Sequence, residues 1–95
     1  MIQLEDKYRE IIKNILSKYP YSFYVFGSRA KGKAKKFSDL DICFFSNIPW
    51  NIRGHIDEDF ENSDIPFTID LVDFALCDEE FKKIVQKDLV PLQEI

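Results

Sequence analysis

The sequence predicts an α/β (α+β) fold in which a small mixed sheet carries helices on one face. Two patterns predict it: apolar residues recur at helical spacing in three segments, and three short runs rich in aromatic and β-branched residues alternate with those segments. Length adds a third observation. A chain of 95 residues that is 45% hydrophobic can bury one core, so we expect a single domain over residues 1–95.

The first half of the chain reads as a helix followed by two strands. Apolar residues from Leu4 to Tyr19 follow helical spacing, and Pro20 ends the run. Strand one is predicted over residues 21–26, and residues 27–38 form a turn and a basic loop. Strand two is predicted over residues 39–45, with alternate apolar side chains on the core face.

The second half predicts a helix, a strand and a last helix. The helix after Pro49 contains Gly54, which weakens it. Strand three covers residues 67–72. The last helix starts at the N-cap residue Asp78, and we expect its apolar residues to point inward; these are Phe81, Ile84 and Val85.

Charge restricts the class of ligand. The net charge is −4, which argues against sequence-independent binding of DNA or RNA. The segment 29–36 nevertheless contains five basic residues and no acid. A basic loop on an acidic body suits a compact polyanion such as a nucleoside triphosphate, although a loop of solvated lysines would look the same.

Targeting features and the cysteines point to the cytosol. The N-terminus has no basic segment followed by an apolar one, and no apolar run approaches the roughly 20 residues that cross a bilayer. Cys43 lies within an apolar strand and Cys77 just before a helix, so we expect free thiols and a cytoplasmic protein.

The most informative motif is Gly27-Ser28, a ten-residue spacer, and then Asp39-Leu40-Asp41. Gly27 supplies a turn without a Cβ, which lets a ligand approach the backbone. The two aspartates are two residues apart on a strand, so their carboxylates leave the same face and repel each other. A divalent cation would remove that repulsion. The alternative, a turn glycine with two solvated aspartates, explains either half of the motif but not both together.

Asp70 extends this carboxylate pair. Aspartate is rare in the middle of an apolar strand, and Asp70 points away from the core face of strand three. If strands two and three pair, Asp70 stands beside Asp39 and Asp41. Asp73 lies on the face opposite to that of Asp70 and ends the strand, which indicates a turn or capping role.

These residues suit nucleotidyl transfer, in which positioning and charge neutralisation supply most of the catalysis. Asp39 and Asp41 can bridge two Mg²⁺ ions, and Asp70 can complete the site of the ion that activates the acceptor hydroxyl. Ser28 and the N–H groups of the turn can donate to phosphate oxygens. The only histidine, His55, is expected on the surface of the second helix, so no serine hydrolase is indicated.

The chain resembles the minimal nucleotidyltransferases of the DNA polymerase β superfamily in three segments, which are Val25–Gly32, Ser38–Asp41 and Ile69–Asp73. The resemblance covers nearly the whole chain. It implies the polymerase β-type nucleotidyltransferase fold, Mg²⁺, and ATP or another nucleotide as substrate. It also implies catalytic and metal-ligand roles for Asp39, Asp41 and Asp70, and nucleotide binding by Gly27, Ser28 and Arg29.

The resemblance further implies a protein partner. Family members commonly pair with a helical HEPN protein, and in such toxin–antitoxin systems the nucleotidyltransferase is the antitoxin and moves AMP onto a tyrosine of the toxin. One alternative is a non-catalytic nucleotide-binding module that neutralises a partner by occlusion; another is a transferase acting on an antibiotic or an RNA end. Candidate interface residues outside the motif are Trp50, Ile65 and the tail 89–92.

Overall fold

The computed structural model describes residues 4–32 and 39–95. The predicted basic loop beyond Gly32, with Lys33, Lys35 and Lys36, lies outside these residues. The predicted order of three helices and three strands is found, and a short fourth strand that was not predicted follows them. The elements are α1 (Asp6–Leu16), β1 (Phe23–Phe26), β2 (Leu40–Phe44), α2 (Trp50–Glu61), β3 (Ile69–Asp73), α3 (Glu79–Gln86) and β4 (Val90–Pro91).

The strands form one mixed sheet in the order β3-β2-β1-β4. Strand β1 is antiparallel to both of its neighbours, whereas β2 and β3 are parallel. The predicted pairing of the second and third strands is therefore confirmed. Its register places Asp41 opposite Asp70 and Ile42 opposite Leu71.

The main core lies between one face of the sheet and the helices α1 and α2. The apolar positions of β2 alternate as predicted, and their side chains are fully buried because α1 and α2 cover them. The residues that form the centre of this core are Ile12, Leu16, Val25, Leu40, Ile42, Phe44 and Ile56.

Helix α3 packs on the opposite face, the one that carries Asp41. Its Val85 is buried against Phe26 and Cys43. The mixed sheet and the placement of α1 and α2 agree with the expectation, but the carboxylate face is only partly open because α3 covers one side of it. Burial also raises the pKa of the Cys43 thiol to about 11, so this buried thiol stays protonated and unreactive at neutral pH.

The prediction that the apolar residues of α3 all point inward is only partly correct. Val85 is buried, but Phe81 and Ile84 are exposed. The helix has eight residues and rests on the sheet through one side, so its other apolar residues border a cleft instead of a core.

Two aspartates cap helical turns as predicted. Asp78 accepts a hydrogen bond from the N–H of Phe81 at 2.8 Å, at the start of α3. Asp73 accepts one from the N–H of Ala75 at 3.0 Å, at the start of a short 3₁₀ turn. Asp73 is thereby occupied in a local structural role.

The candidate interface residues divide into exposed and structural ones. Trp50 is 87% exposed and stays a candidate contact for a partner. Ile65 is half-buried and packs against the core. Val90–Pro91 pairs with β1, so this part of the candidate interface tail 89–92 belongs to the sheet. In the parts of the chain that the structure describes, no helix is long and apolar enough to cross a membrane.

A polar clamp joins the end of α1 to α2. Asp59 accepts hydrogen bonds from the Tyr19 hydroxyl at 2.5 Å and from the Lys18 ammonium at 2.9 Å. These bonds hold the pKa of the Asp59 carboxyl below its usual value, and the bond to Asp59 raises the pKa of Tyr19 to about 12.

The clamp predicts a pH-dependent contribution to stability. Because the pKa of Asp59 is lower in the folded state, its stabilisation is present above the unfolded-state pKa and is lost as pH falls through the folded-state pKa. We expect Asp59→Asn to melt below the wild type at neutral pH, with the gap closing in acid. Circular dichroism melts across the acidic range measure this, with the exposed Asp57→Asn as control. A gap that does not change with pH contradicts the clamp.

Candidate active site

The site begins at the turn that follows β1. Gly27 has φ +80°, a left-handed conformation that favours glycine. A Cβ at this position would overlap the carboxylate of Asp41, because the preceding residue Phe26 is paired with Asp41 across the sheet. Hydrogen bonds from Lys31 N–H to the Gly27 carbonyl and from Gly32 N–H to the Arg29 carbonyl, both 3.2 Å, close the turn. The positive φ therefore favours glycine here, and a Cβ would in addition force the Asp41 side chain to shift.

The structure brings the predicted aspartates to one place. Asp41 and Asp70 are register partners on adjacent parallel strands and so share a face of the sheet. Asp39 lies just before β2, exposed, two residues from Asp41. The pKa of Asp41 is raised, first by burial and then by the charges of Asp70 and Asp39. The three carboxylates thus form one negatively charged cluster.

This donor set fits a metal ion that shares its ligands with a substrate. Within residues 4–32 and 39–95, no three acidic, histidine or cysteine side chains form a ready-made metal cage. Mg²⁺ is commonly held by one or two carboxylates together with substrate phosphates, so a complete protein cage is not needed. Asp41 is half-buried and lies near the like charges of Asp70 and Asp39. Of the three carboxylates, its ionised form would therefore be stabilised most by a bound cation.

A cleft of about 350 Å³ opens in front of Asp41 and Asp70. The Gly27 turn forms one side of the cleft and α3 forms the other. Phe81 of α3 lies edge-on to Phe26, with ring centroids 6.0 Å apart. Among the lining residues, the Lys31 ammonium lies 3.1 Å from the carboxylate of Asp88, which follows α3.

The remaining predicted ligands lie in the turn or beneath it. Ser28 is half-buried in the turn itself. Arg29 is only 5% exposed, and its guanidinium lies 4.0 Å from the centroid of the Phe67 ring. Burial and stacking favour a role for Arg29 in holding the turn, and a direct contact with a triphosphate stays a prediction. His55 is exposed on α2, as expected.

The contribution of α3 to the cleft was missed by the sequence analysis. Phe81 and Ile84 were assigned to the core because a short amphipathic helix gives the same spacing in either case. Asp88 gave no sequence signal, since its partner Lys31 is distant in the chain. Asp39, Asp41 and the glycine turn were found because their spacing is local, and Asp70 was found because an acid is unusual within an apolar strand.

Comparisons with known proteins agree with this geometry. Residues 10–93 match the family described as "Polymerase beta, Nucleotidyltransferase". The chain is 43% identical to "Probable protein adenylyltransferase MntA" of Haemophilus influenzae (strain ATCC 51907 / DSM 11121 / KW20 / Rd) over 98 aligned residues, which cover 97% of this chain and 86% of that protein.

A solved structure has the same fold. It is described as "Crystal structure of the toxin-antitoxin with AMP-PNP", and it superposes with a TM-score of 0.69 at 22% identity, over 88% of this chain and 71% of that chain. At this identity the likeness establishes the fold alone. The family match and the 43% identical relative carry the assignment further. This chain therefore belongs to the polymerase β nucleotidyltransferase family and is a nucleotidyltransferase of the minimal, MntA-like type.

Proposed function

We propose that this nucleotidyltransferase moves AMP from ATP, with Mg²⁺, to a tyrosine hydroxyl of a helical HEPN-type toxin and so acts as its antitoxin in the cytoplasm. The observation that carries the proposal is the register of Asp41 against Asp70 beside a glycine turn that leaves no room for a Cβ. The name of the 43% identical relative, a protein adenylyltransferase, supports a protein acceptor. The toxin–antitoxin description of the structural neighbour, which includes AMP-PNP, motivates the choice of partner and nucleotide.

The proposed roles follow from position and charge. Asp39, Asp41 and Asp70 hold Mg²⁺, two ions in the full proposal, and the cation supplies charge neutralisation for the triphosphate and the attacking oxygen. Gly27 and Ser28 bind the phosphates through N–H groups and the serine hydroxyl. The acceptor oxygen forms a bond to the α-phosphorus while the bond from that phosphorus to the α,β-bridging oxygen breaks, so pyrophosphate leaves and the hydroxyl proton passes to water.

Apolar side chains near the cleft suit a protein acceptor better than a free small molecule. Ile84 and Phe81 line the cleft and are 58% and 39% exposed. Apolar side chains next to reacting carboxylates offer a contact surface for the region around an acceptor tyrosine. The same surface would serve a partner that is neutralised by occlusion without chemistry, so the two functions are separated by measuring transfer.

The test is incubation with a helical HEPN-type protein and Mg²⁺–ATP, followed by intact mass spectrometry of that protein. We expect the mass of one or more AMP groups to be added, EDTA to prevent the addition, and peptide mapping to place it on tyrosine. Asp41→Asn should abolish the addition and leave the complex intact on a sizing column. A complex without any mass addition would favour occlusion, and absence of both would refute the proposed acceptor.

A further inference from the structure

An ion pair joins two residues that line the cleft. The Lys31 ammonium lies 3.1 Å from the Asp88 carboxylate, and the two side chains are 43% and 28% exposed. Lys31 belongs to the Gly27 turn, because its N–H donates to the Gly27 carbonyl at 3.2 Å. Asp88 is fixed at the end of α3 by a hydrogen bond from its N–H to the Val85 carbonyl at 3.0 Å. The pair therefore joins the two walls of the cleft.

The charges around the cleft give this pair a consequence for an anionic ligand. Among the described residues that line the cleft, the acids are Asp41, Asp70 and Asp88, and the base is Lys31. Asp41 and Asp70 have a use as carriers of a cation. Asp88 instead pairs with the Lys31 ammonium, the base among these described lining residues, and so reduces the positive charge available to an anionic ligand.

We infer that Asp88 lowers and tunes the affinity of the cleft for polyphosphate ligands by holding Lys31, so that a bound triphosphate replaces Asp88 as the partner of this lysine. The inference rests on the proposed function, in which a nucleotide binds in this cleft. An ion pair that is half-exposed is weak, so its exchange for a phosphate is easily reversible. When the exchange occurs, the end of α3 loses its tie to the turn, which couples occupancy of the cleft to the wall that carries Phe81 and Ile84.

A double-mutant cycle tests this positioning role, with Mg²⁺–AMP-PNP as the probe and calorimetric Kd values as the readout. We expect Asp88→Asn to tighten binding by about 3- to 5-fold, the equivalent of one half-exposed ion pair, and Lys31→Met to weaken it by a similar factor. In the Lys31→Met background, Asp88→Asn should change Kd by less than about 2-fold, because the lysine through which it acts is gone. The matched control is Glu79→Gln, which removes the same charge from α3 at an exposed position paired with Lys82.

The cycle separates this inference from simpler explanations. Equal tightening by Asp88→Asn in both backgrounds would mean general repulsion and would overturn it, as would tightening by Glu79→Gln to the same extent. Wild-type binding that Asp88→Asn leaves unchanged overturns this inference alone. No nucleotide binding by any of the variants, the wild type included, overturns the proposed function together with it.

Discussion

Replacing Asp41 by asparagine is expected to abolish nucleotidyl transfer while leaving the folded protein at least as stable as the wild type. Asp41 lies opposite Asp70 and next to the Gly27 turn, so it is the carboxylate at the centre of the site. An amide carries no charge for a metal ion, and several kcal/mol of charge stabilisation would be lost. We expect a fall in rate of about 10³-fold or more, measured as transfer of AMP to the partner.

The stability half of this prediction follows from the raised pKa of Asp41. Burial and the charges of Asp70 and Asp39 favour the protonated form in the folded state. The wild type therefore loses stability as pH rises from the unfolded-state pKa through the raised folded-state pKa, and the full penalty persists at neutral pH. In EDTA at neutral pH, Asp41→Asn should melt at or above the wild-type Tm, and its advantage should disappear in acid.

A matched change at another carboxylate provides the control. Asp64→Asn makes the same chemical change at an exposed position in the loop after α2, so both transfer and Tm should stay close to wild type. If Asp41→Asn instead melts well below the wild type in EDTA, the carboxylate has a structural role and the loss of transfer would not identify a metal ligand.

The residues at the centre of the site could be predicted from the sequence because Asp39 and Asp41 are related by their spacing along one strand. Alternation along a strand fixes which side chains share a face, so Asp39 and Asp41 were placed together by spacing alone. Asp70 required one further step, the pairing of β2 with β3, which the register confirms. An acid within an apolar strand is costly unless it faces out, and that cost made Asp70 conspicuous.

The features around the centre of the site could not be predicted from residue spacing. Strand β4 has two residues and exists because it pairs with β1, a contact between distant parts of the chain. The apolar face of α3 has the spacing of a core helix, yet only Val85 is buried, where it packs against Phe26 and Cys43. The family resemblance implies nucleotide binding by Arg29, and that contact stays a prediction; the burial of its guanidinium against Phe67 was not predicted. These features depend on long-range packing, which no spacing rule encodes.

Replacing Gly27 by alanine is expected to damage both stability and transfer, because the turn and the catalytic carboxylate compete for the same space. With φ +80°, a residue that has a Cβ is strained by roughly 1–2 kcal/mol before any clash. The new methyl would also overlap the carboxylate of Asp41, so the turn or the carboxylate must move. We expect a loss of about 1–3 kcal/mol in unfolding free energy and at least a roughly 10²-fold loss of transfer, the effect of a displacement near 1 Å.

The chain supplies a matched control in Gly54. It lies in the interior of α2, exposed, and a Cβ there would meet nothing within 4 Å. Gly54→Ala should therefore raise the unfolding free energy by about 0.5–1 kcal/mol through helix propensity and leave transfer unchanged. The same substitution is thus expected to have opposite signs at two glycines, measured by urea unfolding and by AMP transfer on the same preparations. If Gly27→Ala retains wild-type transfer and Tm, the turn does not depend on close approach to Asp41, and the proposed geometry of the phosphate-binding turn is wrong.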